Sequence, residues 1–322
     1  MDKFTGAQFI IVFRHFFNTI LKADFNRYDA ADLKISTLTN RIFFIGPFIS
    51  VQKDFGYSDA TPKNNVEGSI LDKLFSKSSA SVQTLKKVAA FYKNRRMINS
   101  EEDSFENITI PTYIINISGK PASHKQVVKE FKGRSEFDVC FIKISNGESA
   151  TYGLWLSIRK IVGMAVANND DVIFICGDNH VFTKQYSKEF LIKNIIEAHQ
   201  KGTEILLGSV RRFGLAVLIT KSRAWINHFF RATFIILYRS VFQKILNEPF
   251  DNNIKIDVIL SDITSNKMIL FPFISMQNDL DDIDFMALHN DNDELIVSFL
   301  EEANVKLNKV YEAANIYNIS LS

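Results

Sequence analysis

The stretch "DDVIFICGDNHVFT", Asp170 to Thr183, decides how the rest of the chain is read. Val172 to Cys176 is an apolar run of strand length, rich in Val, Ile and Phe, as in a strand buried on both faces. It ends abruptly in Gly177, Asp178, Asn179 and His180. Around it the pattern alternates. "PTYIINI" (Pro111 to Ile117) and "FDVCFIKI" (Phe137 to Ile144) predict strands, and "GLWLSIRKIVGMAVAN" after them predicts a helix. Beyond the central run, Ser187 is placed as an N-cap and Gly202 as the stop of a further helix, and "EILLGSV" predicts another strand. Such alternation implies right-handed crossovers, hence an α/β fold with a mostly parallel sheet flanked by helices. Ligands of such sheets sit at the carboxyl ends of the strands, which is where Gly177 to His180 falls.

The bulk composition narrows the possibilities. With 322 residues, 46% of them hydrophobic, the chain can bury a large core. Its 38 Lys and Arg against 36 Asp and Glu leave a net charge of +2, which gives no electrostatic footprint for nucleic acid. Any anionic ligand must be bound locally. The 2 cysteines, Cys140 and Cys176, lie in apolar runs, which argues against a disulfide framework and for a reducing, cytoplasmic setting. "FIIVF" near the start is cut short by Arg14 and His15, so it reads as a core segment and not as an export signal. No run has the length of a membrane span, while 29 phenylalanines leave peripheral membrane contact open.

A repeat reorganises the chain. Ala7 to Asp54 aligns without a gap on Ala232 to Asp279, with 18 of 48 positions identical, far above chance. The shared residues include Arg14 and Arg239, Asp32 and Asp257, Ser36 and Ser261, and the blocks Pro47 to Ser50 and Pro272 to Ser275. Nothing before the first copy corresponds to the strands and helices that precede the second. The expectation is a half unit over residues 1–95, a charged linker over 96–106, and a complete unit over 107–322. Left alone, the apolar runs of the half unit would expose strand edges, so it is expected to pack against the complete unit or to join two chains as a homodimer.

Several residues carry candidate chemistry, each beside a plainer reading. In an extended chain Asp178 and His180 point the same way, and a carboxylate with an imidazole suits a divalent ion that neutralises a diphosphate; the plainer reading is a turn cap and a packed ring. Asp29 and Asp32, three apart, share a face if helical, and only Asp257 remains in the second copy. Each can be the base that takes a proton from an attacking hydroxyl, or a helix-start acid. Arg211 and Arg212 follow a strand, where they can reach phosphate or simply face water. Gly56 and Tyr57 can present an aromatic face to a sugar or a base, or form a surface turn.

The order of Asn116 at the end of a first strand, "ESATYGLWLSIRK" (Glu148 to Lys160), and a buried strand ending in an acid resembles glycosyltransferase family 25, the lipopolysaccharide-type enzymes. Asn116, Gly153, Ser157 and Asp178 match its motifs over about residues 110 to 280. The resemblance implies a GT-A-like fold, a nucleotide-diphosphate sugar as donor, and Mn²⁺ or Mg²⁺ at the acidic cluster. It further implies a glycan or lipid-linked acceptor, with Asn116 and Ser157 lining the nucleotide pocket. The chain departs from the family where Glu-Asp-Asp becomes Gly177-Asp178-Asn179 and Ser-His becomes Ser157-Ile158. Loss of these carboxylates is expected to weaken or abolish metal binding, and it leaves a catalytically degenerate binding module as the alternative.

Overall fold

In the computed structural model, residues 9–39, 41–50, 70–94, 108–117, 121–145, 149–250, 254–277 and 293–316 are described. The chain divides into two compact units, Met1–Ala90 with Asn315–Tyr317, and Phe91–Ala314 with Asn318–Ser322. The division falls inside a helix, α3 (Ile70–Asn94), and the charged stretch 96–106 lies outside the described residues.

The second unit is built on an eight-stranded sheet. Its strands are β1 (Ile110–Asn116), β2 (Phe137–Lys143), β3 (Val172–Gly177), β5 (Ile205–Phe213), β6 (Ala216–Thr220), β7 (Arg223–Ile226), β8 (Phe229–Tyr238) and β9 (Lys267–Leu270). They lie in the order β2-β1-β3-β8-β5-β9-β7-β6. β1 is parallel to β2 and β3, β5 to β9, and β8 runs antiparallel to both β3 and β5. β7 is antiparallel to β9 and β6 to β7, so every strand except β7 and β8 points one way. This is the mostly parallel α/β sheet that the alternating pattern predicts.

Alternation along the strands divides the core in two. On one face Ile173 and Ile175 of β3 join Trp155, Ile158, Ile161 and Val162 of α5 (Ala150–Ala167), Val241 and Phe242 of α7 (Arg239–Asn247), and Ile259 of α8 (Ile256–Ile263). On the other face Phe174 stacks on Phe234 at 4.0 Å and meets Phe137 and, from α4 (Pro121–Phe131), Phe131. Gly208 makes this second layer possible, since a Cβ there would lie 2.6 Å from the Phe234 ring. A two-stranded ribbon, β4 (His180–Phe182) against β10 (Ser275–Gln277), belongs to the same layer, because His180 and Phe182 meet Phe131 and Phe174 neighbours there. Ser187 does cap α6 (Lys188–Gln200), its Oγ accepting from Phe190 N at 3.1 Å, and Gly202 beyond that helix has φ 77°.

The first unit contains α1 (Phe17–Leu21), α2 (Ala31–Thr37) and most of α3, with no strand among its described residues. α2 begins where α8 begins in the aligned copy, but the described counterparts of β8 and β9, residues 9–13 and 42–45, are not strands, and Phe13 and Phe43 are 66% and 65% exposed. A helix, α9 (Asp293–Ile316), follows the second copy and contributes Ala303 and Leu307 to the core of the second unit. No helix among the described residues is long and apolar enough to cross a membrane.

Candidate functional site

The carboxyl edge of the sheet is assembled from the ends of β1, β2, β3 and β5. Asp178, the first residue after β3, donates its backbone N–H to Ile115 O at 3.1 Å, and its Oδ1 accepts from Ile117 N at 3.2 Å. The carboxylate therefore continues the β1–β3 ladder one step past its end, and the residue is only 1% exposed. Asn116 stands at the end of β1, level with Lys143 of β2.

A second knot closes the neighbouring loop. Ser157 Oγ accepts from Ser145 N at 2.8 Å and donates to Gly153 O at 2.8 Å, so one hydroxyl ties the loop after β2 to α5. Gly153 is needed for that approach, because a Cβ there would stand 2.4 Å from Ser145 O. Ser149 caps the same helix by accepting from Tyr152 N at 3.1 Å. The two residues singled out by resemblance are thus in contact, and their shared work is to hold the loop at the end of β2.

His180 departs from the expected position. A turn at Asp178 and Asn179 folds the chain back, so the strand does not continue and the two side chains do not converge as they would in an extended segment. The imidazole is 1% exposed and lies among Phe131, Phe174, Phe182 and Phe234, with ring centroids 4.5 to 5.9 Å away. Its Nδ1 pairs with Ser275 Oγ at 3.1 Å, Ser275 with Thr233 Oγ1 at 2.9 Å, and Thr233 with Ser209. Nε2 has no hydrogen-bond partner among the described residues. Burial, reinforced by the charge of Arg134, pushes the imidazole pKa down to about 3, so the ring is neutral at physiological pH. Among the described residues no group of three or more His, Cys, Asp or Glu is arranged to hold a metal ion. A carboxylate spent on a strand end and an imidazole boxed by phenylalanines do not fit a divalent-ion site.

Arg211 lies near the carboxyl end of β5, 2% exposed, and its Nη2 donates to Gln277 Oε1 of β10 at 3.3 Å, while Arg212 is exposed. β8 separates β5 from β3, so Arg211 and Asp178 start from backbones roughly 10 Å apart at about 4.8 Å per strand step. Asp257, in the first turn of α8, accepts from Arg231 N at 2.7 Å. Burial raises its pKa, opposed by the backbone N–H groups of Arg231 and Ala232 and by the charges of Arg231 and Lys255. One turn later Ser261 Oγ accepts from Phe229 N at 3.0 Å and donates to Phe229 O at 3.2 Å. α8 is therefore clamped onto the start of β8 by two side chains four residues apart.

Asp29 and Asp32 belong to the first unit. Asp29 accepts from Asn26 N at 2.9 Å and pairs with Lys34 at 3.2 Å, and the first of these contacts chiefly lowers its pKa. Asp32 Oδ1 accepts from Leu33 N at 2.8 Å. Glu148 and the segment Phe55, Gly56, Tyr57 lie outside the described residues.

Sequence reasoning passed over Arg231, which occupies the edge at φ 52°. A signal was present: one residue ahead of the aligned repeat, the first copy has Gly6 where the second has Arg231, and glycine takes positive φ freely.

No family model matches the chain, and no curated protein is similar to it. Among solved structures, A197 from STIV shares 11% identity over 51% of this chain and 82% of its own, with a TM-score of 0.36. The mannosyltransferase PcManGT from Pyrobaculum calidifontis, in complex with GDP-Man and Mn²⁺, shares 8% identity over 57% of this chain and 60% of its own, with a TM-score of 0.30. An apo UDP-glucose pyrophosphorylase shares 10% over 62% of this chain and 82% of its own, with a TM-score of 0.33. At these identities and scores the likenesses carry no activity over to this chain.

Proposed function

We propose that the chain is a GT-A-like transferase, related to glycosyltransferase family 25, that moves a sugar from a nucleotide-diphosphate donor to a glycan or lipid-linked acceptor in the cytoplasm. The observation that supports this reading is that Asn116, Asp178 and Arg211 belong to the carboxyl ends of β1, β3 and β5, strands that point one way in one mostly parallel sheet, where α/β folds bind their ligands. The Ser157 and Gly153 knot supports it, because it holds the β2 loop of that edge in place before any ligand arrives.

In this reading the nucleotide lies over the ends of β1 and β3, beside Asn116 and the Ser157 loop, with its diphosphate toward β5. The acceptor hydroxyl attacks the anomeric carbon as the bond from that carbon to the diphosphate oxygen breaks, and the nucleoside diphosphate leaves with the electron pair. The proton goes to a carboxylate. Asp257 is assigned that role in the second unit, since its burial raises proton affinity toward the range a base needs. Asp29 and Asp32 are the counterpart candidates of the first unit. In this reading neither Asp178 nor His180 assists the transfer through a divalent ion.

The test is release of nucleoside diphosphate from labelled uridine and guanosine diphosphate sugars in the presence of glycan and lipid-linked acceptors. Asp257→Asn is expected to lower turnover by roughly 10²-fold while donor binding persists. Unchanged turnover removes Asp257 from the mechanism, and donor binding without any turnover favours a degenerate binding module.

A further inference from the structure

The first copy of the repeat keeps the apolar residues of a core that it does not build. Phe9, Ile11, Phe13, Phe17 and Leu21 align with Phe234, Ile236, Tyr238, Phe242 and Leu246. In the second copy Phe234, Ile236, Tyr238 and Phe242 are at most 2% exposed, because β8 runs between β3 and β5 and α7 packs on the same core. In the first copy the five aligned side chains are 48% to 80% exposed. Among the described residues between 9 and 50, only Ser36 is buried.

Charge follows the same boundary. Residues 1–90 hold 12 Lys and Arg against 8 Asp and Glu, whereas the rest of the chain holds 26 against 28. Residues 9–23 contain Arg14, His15 and Lys22 and no acid, and Arg14 and Lys22 are exposed like the apolar side chains they alternate with. An exposed apolar segment whose only charges are positive complements a bilayer with anionic headgroups. It complements a second copy of itself poorly. A two-fold contact would lay the same cations against one another, with no acid in the segment to pair them.

We propose that residues 9–22 dock on an anionic lipid surface, with Phe13, Phe17 and Leu21 entering the headgroup region and Arg14 and Lys22 pairing with lipid phosphates. Apolar insertion and basic charge together hold a protein to a membrane where either alone holds it weakly. The docking does not rest on the transferase reading.

The experiment is flotation of the full chain with vesicles of phosphatidylcholine alone and of phosphatidylcholine with about 30% phosphatidylglycerol, at low salt, with sedimentation velocity in the absence of lipid. The anionic vesicles are expected to bind about tenfold more tightly or better. Arg14→Gln combined with Lys22→Gln should remove about tenfold of that preference, as loss of two charges at the surface does. Phe13→Ser combined with Leu21→Ser should weaken binding to the anionic vesicles about tenfold or more. All four side chains are exposed, so both variants should keep the melting temperature of the parent, which is measured alongside. No binding to either vesicle, equal binding to both, or variants that bind as tightly as the parent overturns the inference. So does a lipid-free dimer that Phe13→Ser with Leu21→Ser dissociates, which would assign the surface to a second copy. None of these outcomes touches the transferase reading, which nucleotide release tests separately.

Discussion

The Asp257 carboxylate accepts the backbone N–H of Arg231 at 2.7 Å, and Arg231 is the residue of β8 that sits at φ 52°. A side chain placed by the first turn of a helix thus fixes the irregular start of the strand that divides the parallel sheet. This gives the shared Asp257 and Ser261 pattern a mechanical meaning besides any catalytic one.

Removing the clamp should be measurable. Asp257→Ala strands the Arg231 N–H and is expected to cost about 1 to 3 kcal/mol in urea unfolding. Arg231→Gly should unfold no more easily than the parent, since it relieves a conformation that costs a Cβ-bearing residue about 1 to 2 kcal/mol. If the two variants lose equal stability, the clamp does not support the strained residue.

His180 should make stability depend on pH. The native imidazole holds its proton only below about 3, while the unfolded one takes it up near the ordinary 6.5. Below 6.5 the unfolded state therefore binds more protons, and the stability present at neutral pH is lost as pH falls. The expected slope is about 1.4 kcal/mol per pH unit, or roughly 2 kcal/mol between pH 6.5 and 5. His180→Gln should flatten that slope; a parent and variant with identical pH profiles would remove His180 as its source.

The fate of His180 shows what the sequence can and cannot tell. Strand lengths, the caps at Ser187 and Gly202 and the buried run before Gly177 are local signals, and each was legible. The turn that folds β4 back depends on Phe131, Phe137 and Phe234 forming an apolar layer for it, and those residues come from distant segments. Extended-chain geometry at Asp178 and His180 could not anticipate them. Direction was equally hidden for β8, whose apolar sequence suits a parallel or an antiparallel central strand alike. The work of Gly153 was hidden for another reason: its need for space arises from Ser145, a residue of a different element.

The knot at the β2 loop predicts a sharp response to one methyl group. Gly153→Ala places a Cβ 2.4 Å from Ser145 O, so the loop or the helix must move. Stability should fall by about 1 to 3 kcal/mol, and UDP and GDP affinity should fall with it. Nucleotide affinity that survives this substitution would detach the loop from the donor site.

Asp178 separates charge from hydrogen bonding. Asp178→Asn keeps an oxygen for Ile117 N and should unfold within about 1 kcal/mol of the parent, whereas Asp178→Ala should lose about 1 to 3 kcal/mol. Nucleotide affinity of the Asn variant should be the same in EDTA and in Mn²⁺. A loss confined to Mn²⁺ would return Asp178 to a metal-binding role.

The most direct test of the account is photolabelling of the full chain with azido-uridine and azido-guanosine diphosphate sugars, followed by peptide mapping. The account predicts label on peptides that contain Asn116, Asp178 or Arg211, the carboxyl edge of the sheet, and its disappearance with excess unlabelled nucleotide. Label that excess nucleotide does not displace, or label confined to peptides away from that edge, would contradict it.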